Sequence, residues 1–103
     1  MDKIAMLNDI LAQNPADAFA RYGLALEYAN QGQTDTAFGQ FNQLLAAHPD
    51  YVAGYQMSGQ LLFKAGRFEE AKQRLEDGIA SANRTGNAHA RAEMEALLDE
   101  IEI

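Results

Sequence analysis

Cysteine is absent from this chain, which excludes disulfides, thiolate metal sites and cysteine nucleophiles. Proline occurs only at Pro15 and Pro49, so long helices are permitted almost everywhere else. No apolar run approaches the roughly 18 residues that a membrane-spanning helix requires. The opening MDKIAMLNDI lacks a basic segment followed by a continuous apolar one, so it does not read as a secretory signal, and a cytoplasmic protein is expected. Basic side chains are also scarce, 8 against 15 acidic ones, for a formal charge of −7. Nucleic acid and anionic membrane both demand a lysine- and arginine-rich surface, so neither is expected as a partner. The acidic surplus gathers at the end, where Glu93, Glu95, Asp99, Glu100 and Glu102 crowd the last eleven residues. Solubility is the ordinary reading of such a face.

What is present is helical pattern. With 103 residues and 48% hydrophobic side chains, the chain is expected to form one domain with a modest core. Residues 2–13 place Ile4, Leu7, Ile10 and Leu11 at three- and four-residue steps. Asn14 then reads as the N-cap of a second helix, with Pro15 in its first turn. That helix spans about 17–31, carries Phe19, Tyr22, Leu24, Ala25, Leu26, Tyr28 and Ala29, and stops at Gly32. Thr34 reads as the cap of a third helix to about Ala47, built on Ala37, Phe38, Phe41, Leu44 and Leu45. A fourth, about 51–65, uses Val52, Tyr55, Gly59, Leu62 and Phe63 and ends at Gly66. The fifth runs from Phe68 to about Ser81, with Ala71, Leu75 and Ile79 inward and Glu69, Glu70, Lys72, Arg74 and Glu76 outward. Asn83-Arg84-Thr85-Gly86-Asn87 reads as a break. A sixth helix to about Ile101 follows, striped by Ala90, Met94, Leu97, Leu98 and Ile101. Short links make neighbouring helices antiparallel, and no segment alternates as a strand would.

The helices repeat. A shift of 34 residues carries Gly32 onto Gly66, Ala37 onto Ala71, Phe41 onto Leu75 and Leu45 onto Ile79. Upstream, the same shift carries Pro49 onto Pro15, Leu45 onto Leu11, Ala46 onto Ala12 and Asn42 onto Asn8. A fixed period of this size means stacked helix pairs, none able to bury its apolar face alone. Small residues at Ala25, Gly59, Ala37 and Ala71 let paired helices approach, and large residues fill the gaps between pairs.

Leu24-Ala25-x-x-Tyr28, Gly32, Ala37, Phe41, Leu44 and Pro49, followed by Tyr55, Ser58-Gly59, Leu62, Gly66, Phe68, Ala71, Leu75 and Gly78, resemble two tetratricopeptide repeats. The resemblance covers residues 3–83, as a half repeat over 3–15 and repeats over 18–51 and 52–83, with 88–101 similar to a capping helix. It implies an all-α, right-handed superhelical stack of helix pairs. Three positions depart from the pattern: Arg21 replaces a usual aromatic, Ser58 a usual leucine and Asn83 a usual proline, so the fifth helix is free to run on. At the 34-residue spacing Glu93 falls where a small residue belongs.

Candidates for chemistry are few. His48-Pro49-Asp50 resembles the tripeptide of J-domain co-chaperones, but the helix before it holds no lysine or arginine, which that family uses to dock its chaperone. Pro49 is already explained by the repeat. His48 and His89 form no ligand pair, so no metal site is expected. Ser58 and Ser81 lack a neighbouring base, and Asn83-Arg84-Thr85 matches the glycosylation sequon by chance. No glycine-rich phosphate loop occurs, and neither catalysis nor a cofactor is expected.

The resemblance instead implies an inner groove lined by the first helix of each pair. Phe19, Tyr22, Leu26 and Asn30 would face it from the second helix, and Gln56, Gln60, Phe63 and Lys64 from the fourth. Aromatics beside amides suit a peptide, rings covering apolar side chains and amides pairing with backbone. Tyr22, Leu26, Gln56 and Gln60 stand where some relatives carry a carboxylate-clamping lysine and asparagine set, so the acidic tails of heat-shock chaperones are not expected ligands. The expected function is a scaffold binding a protein or peptide. The alternatives are a self-associating module, stacking through Ile4, Leu7, Phe38 and Phe41 or through Met94, Leu97 and Ile101, and a fragment of a longer array.

Overall fold

A computed structural model describes residues 2–102. It contains α1 (Lys3–Gln13), α2 (Ala18–Asn30), α3 (Thr34–Ala47), α4 (Val52–Lys64), α5 (Phe68–Thr85) and α6 (Ala88–Glu102), with no strand among the described residues. The turns that end α2 and α4 are built alike. Gly32 and Gly66 take φ of 79° and 75°, a left-handed conformation that costs glycine least. Gln33 N–H then donates to Tyr28 O at 2.9 Å, and Arg67 N–H to Leu62 O at 3.0 Å, which satisfies the last helical carbonyls. The ends of α1 and α3 also match, through Asn14 N–H to Ile10 O and His48 N–H to Leu44 O.

Capping differs from expectation in two places. Asn14 is the C-cap of α1, and it is Asp17 that caps α2, its carboxylate accepting from Ala20 N–H at 2.9 Å. Thr34 is the first residue of α3, and Gln33 precedes it without a side-chain cap.

The helices form two compact units, α1–α3 up to His48 and α4–α6 from Pro49. In the first unit Leu11, Ala20 and Leu24 make a buried cluster against which Ile4, Leu7 and Tyr28 pack. Ile10, expected on the inner stripe of α1, is 40% exposed instead. Ala25, Ala37, Phe41 and Leu44 are fully buried, and Phe38 is nearly so.

In the second unit Val52, Tyr55, Leu62, Ala71, Leu75, Ala82, Ala90 and Met94 form the core, together with buried Ser58 and Ser81. The fifth helix does run on. It has 18 residues against 14 in α3, and Asn83, Arg84 and Thr85 are helical rather than a break. From Ala18 to Val52 is 34 residues, whereas from Val52 to Ala88 is 36. At the longer step buried Met94 corresponds to buried Ser58, and exposed Glu93 no longer falls on Gly59. Arg74, expected outward, is half-buried and donates to Ser58 Oγ at 2.8 Å.

Candidate functional site

The sequence candidates on α4 occupy one helical stripe. Val52, Tyr55, Ser58, Gly59 and Leu62 turn into the core, which leaves Gln56, Gln60 and Phe63 half-buried and Lys64 exposed. Gln60, Phe63 and Lys64 share a recess of about 240 Å³ with Leu97 of α6. Its walls are mainly hydrocarbon, with one amide and one ammonium. The Phe63 ring is held by an edge contact with Phe68, centroids 5.6 Å apart, so its position is set before anything binds. Leu97 was not among the sequence candidates for the groove. Its signal was present in the apolar stripe of α6, and what lay hidden was which neighbour that stripe would meet.

On α2 the candidates again avoid the buried face made by Ala20, Leu24 and Ala25. Phe19 is 78% exposed, Asn30 is exposed, and Tyr22 and Leu26 are half-buried. Tyr22 meets Phe41 edge-on, with centroids 6.2 Å apart. Phe19 thus offers a free ring and Tyr22 a ring fixed by its own unit.

The His48-Pro49-Asp50 residues are occupied with turning the chain. His48 Nε2 lies 3.0 Å from Ala16 O. Pro49 O accepts from the Tyr55 hydroxyl at 2.8 Å and from Arg84 Nη2 at 3.3 Å. Asp50 pairs with Arg84 at 2.7 Å and accepts from Ser81 Oγ. The added last turn of α5 supplies Arg84, and Ser81 lies just before it. A recess of about 390 Å³ lies beside this staple, lined by Asp50, Tyr51, Val52, Ala53, Thr85 and Asn87, but its carboxylate is already neutralised.

The departures from the repeat pattern also resolve into polar contacts. Arg21 donates to Gln40 and Gln43 of α3 at 2.8 and 2.7 Å. Ser58 donates to Gly54 O at 2.5 Å while accepting from Arg74, whose guanidinium is made less basic mainly by burial. Burial likewise raises the Tyr55 hydroxyl above its usual range, assisted by the negative charge of Asp77. No group of His, Cys, Asp and Glu side chains suited to a metal ion occurs among the described residues. No described helix is long and apolar enough to cross a membrane.

The family model for the tetratricopeptide repeat matches residues 28–97, from within α2 into α6. A TPR repeat-containing protein of Pseudomonas aeruginosa is 29% identical over 96 residues, covering 93% of this chain and 91% of that protein. A tetratricopeptide repeat domain protein from Salinibacter ruber, solved by NMR, superposes with a TM-score of 0.80 at 29% identity over 86% of this chain and 90% of that one. The TPR2B domain of yeast Sti1 shares the fold with a TM-score of 0.86 at 15% identity, over 96% of this chain and 79% of that chain. With more than half its length inside the family model, the chain belongs to the tetratricopeptide repeat family.

Proposed function

We propose that this chain is a non-catalytic scaffold that holds a protein or peptide segment on the faces of its pair-leading helices. The observation that carries this reading is the recess between α4 and α6, which joins Gln60, Phe63 and Lys64 with Leu97. Two hydrocarbon walls bury an apolar side chain, and an amide beside them offers both a donor and an acceptor to an extended backbone. The fold supports the reading, since the Sti1 TPR2B domain was solved in complex with pHsp70. Display of a random peptide library against the immobilised protein tests it. Selected peptides should lose affinity for Phe63→Ala while that variant keeps its thermal midpoint within a few degrees. Enrichment no better than on an unrelated domain of equal charge would end the reading.

Self-association is the second reading, and α1 favours it because Met6 and Ile10 are 42% and 40% exposed. Of the residues expected to stack, Phe38, Phe41 and Met94 are buried in their own units, so Met6 and Ile10 carry this reading instead. A sedimentation mass that stays monomeric across a tenfold dilution from high concentration removes it.

A further inference from the structure

The recess between α4 and α6 has a size and a charge that narrow its ligand. Its volume of about 240 Å³ exceeds the ~150 Å³ of an apolar cavity that takes up benzene. It falls short of the roughly 300–1,000 Å³ typical of pockets for whole small molecules. One large apolar side chain therefore fits, with the rest of its chain running outside over Gln60.

Charge supplies the second restriction. Arg67 pairs with Glu70, Lys72 with Glu102, Arg84 with Asp50 and Arg91 with Glu95, while Arg74 is held by Ser58. Lys64 is the one cation from Pro49 onward without an ion pair or hydrogen bond among the described residues. It stands on the wall of the apolar recess, one residue from Phe63. In a chain whose net charge is −7, an unanswered ammonium in that place marks where an anion is tolerated.

Resting on the scaffold reading, we infer that the recess takes an internal peptide segment in which a large apolar side chain is followed closely by an aspartate or glutamate. The apolar side chain enters between Phe63 and Leu97, and the carboxylate meets Lys64 at the rim. Affinity comes mainly from the buried side chain, and the carboxylate selects sequence, because an exposed ion pair stabilises by only about 0.2–1 kcal/mol.

The test uses the full chain and a displayed library of random twelve-residue peptides, selected in parallel on wild type, Lys64→Glu and Phe63→Ala. Lys64 is exposed but ends α4, so its reversal should lower the thermal midpoint by no more than a few degrees, which a melt checks. Wild type should enrich apolar–acidic pairs, and Lys64→Glu should enrich apolar–basic pairs instead. A synthetic peptide from the wild-type pool should bind Lys64→Glu roughly three- to tenfold more weakly, with the gap shrinking in 0.5 M salt. Peptides that require Phe63 but are indifferent to Lys64→Glu in composition and affinity would overturn the inference and leave the scaffold reading standing. If wild type enriches no peptides, both fall together.

Discussion

Gly59 of α4 lies so close to Leu75 of α5 that a β-carbon built on it would sit 2.6 Å from Leu75 Cδ2. Leu75 is fully buried, so its side chain can give way only against the core around it. Gly78 is tighter still, since its β-carbon would meet Tyr55 Cβ and Met94 Sδ at 2.6 Å each, and a Cβ moves only with its backbone. Alanine in a helix is favoured over glycine by about 1 kcal/mol, whereas overpacking costs about 1–3 kcal/mol. Gly78→Ala should therefore destabilise by about 1–2 kcal/mol, and Gly59→Ala by less. Gly39→Ala, in open space on α3, should stabilise by about 0.5–1 kcal/mol. Urea melts of the three variants check the order, and a stabilised Gly78→Ala would refute the close-contact argument.

Ala37 and Ala71 occupy equivalent fully buried places in the two units. Leucine at either should cost roughly 1–3 kcal/mol by forcing neighbours off their rotamers. Equilibrium unfolding of both variants is the check, and neutrality in both would show that the small residues are not spacing elements.

The His48-Pro49-Asp50 contacts are all internal and partly exposed. His48→Gln and Asp50→Asn should each change stability by no more than about 1 kcal/mol. Neither should affect binding of a peptide selected on the recess. An assay of chaperone ATPase stimulation should show none from wild type, and stimulation abolished by His48→Gln would identify a J-protein activity instead.

Tyr55 makes stability fall at alkaline pH. Its hydroxyl donates to Pro49 O, and burial raises its folded pKa above the unfolded value near 10. A raised folded pKa means that the stability is fully present below the unfolded pKa and is lost as pH rises through the folded one. The alkaline decline should thus begin near pH 10. Tyr55→Phe should flatten this part of the decline while costing about 0.5–1.5 kcal/mol at neutral pH for the lost hydrogen bond. Chemical denaturation from pH 7 to 11 distinguishes the two profiles.

Tyr22 and Phe63 are half-buried, unlike Phe41. Truncating a buried aromatic to alanine costs about 3–5 kcal/mol. Tyr22→Ala and Phe63→Ala should fall clearly below that, and Phe41→Ala should reach it. Thermal melts of the three variants decide whether these rings are surface or core.

Much of this protein was legible because its information is local or periodic. Glycines at Gly32 and Gly66 specify where the chain turns, since few other residues accept a positive φ. The 34-residue echo of Ala37 in Ala71 and of Phe41 in Leu75 marks which face of each helix is buried, because burial follows helical phase. Both signals survive any change in how a particular side chain settles. Gln60, Phe63 and Lys64 came instead from the resemblance to the tetratricopeptide repeat, and the structure places them out of phase with the buried face of α4.

Other features were decided only in three dimensions. Nothing local in Asn83-Arg84-Thr85 demands a helix, and the extra turn is held by Arg84 and Ser81 reaching Asp50 across more than thirty residues. That turn moves α6 on by two residues, so that Met94 stands where Ala92 would at the 34-residue spacing and packs against Gly78. Arg74 has the sequence of a surface residue, yet its long side chain folds back and donates to the buried Ser58 hydroxyl, which itself donates to Gly54 O. Leu97 joined the recess for the same kind of reason. A repeating pattern determines which face of a helix is apolar, but where a permissive helix stops, and whom a long side chain meets, depend on free-energy differences that exist only once the helices have packed.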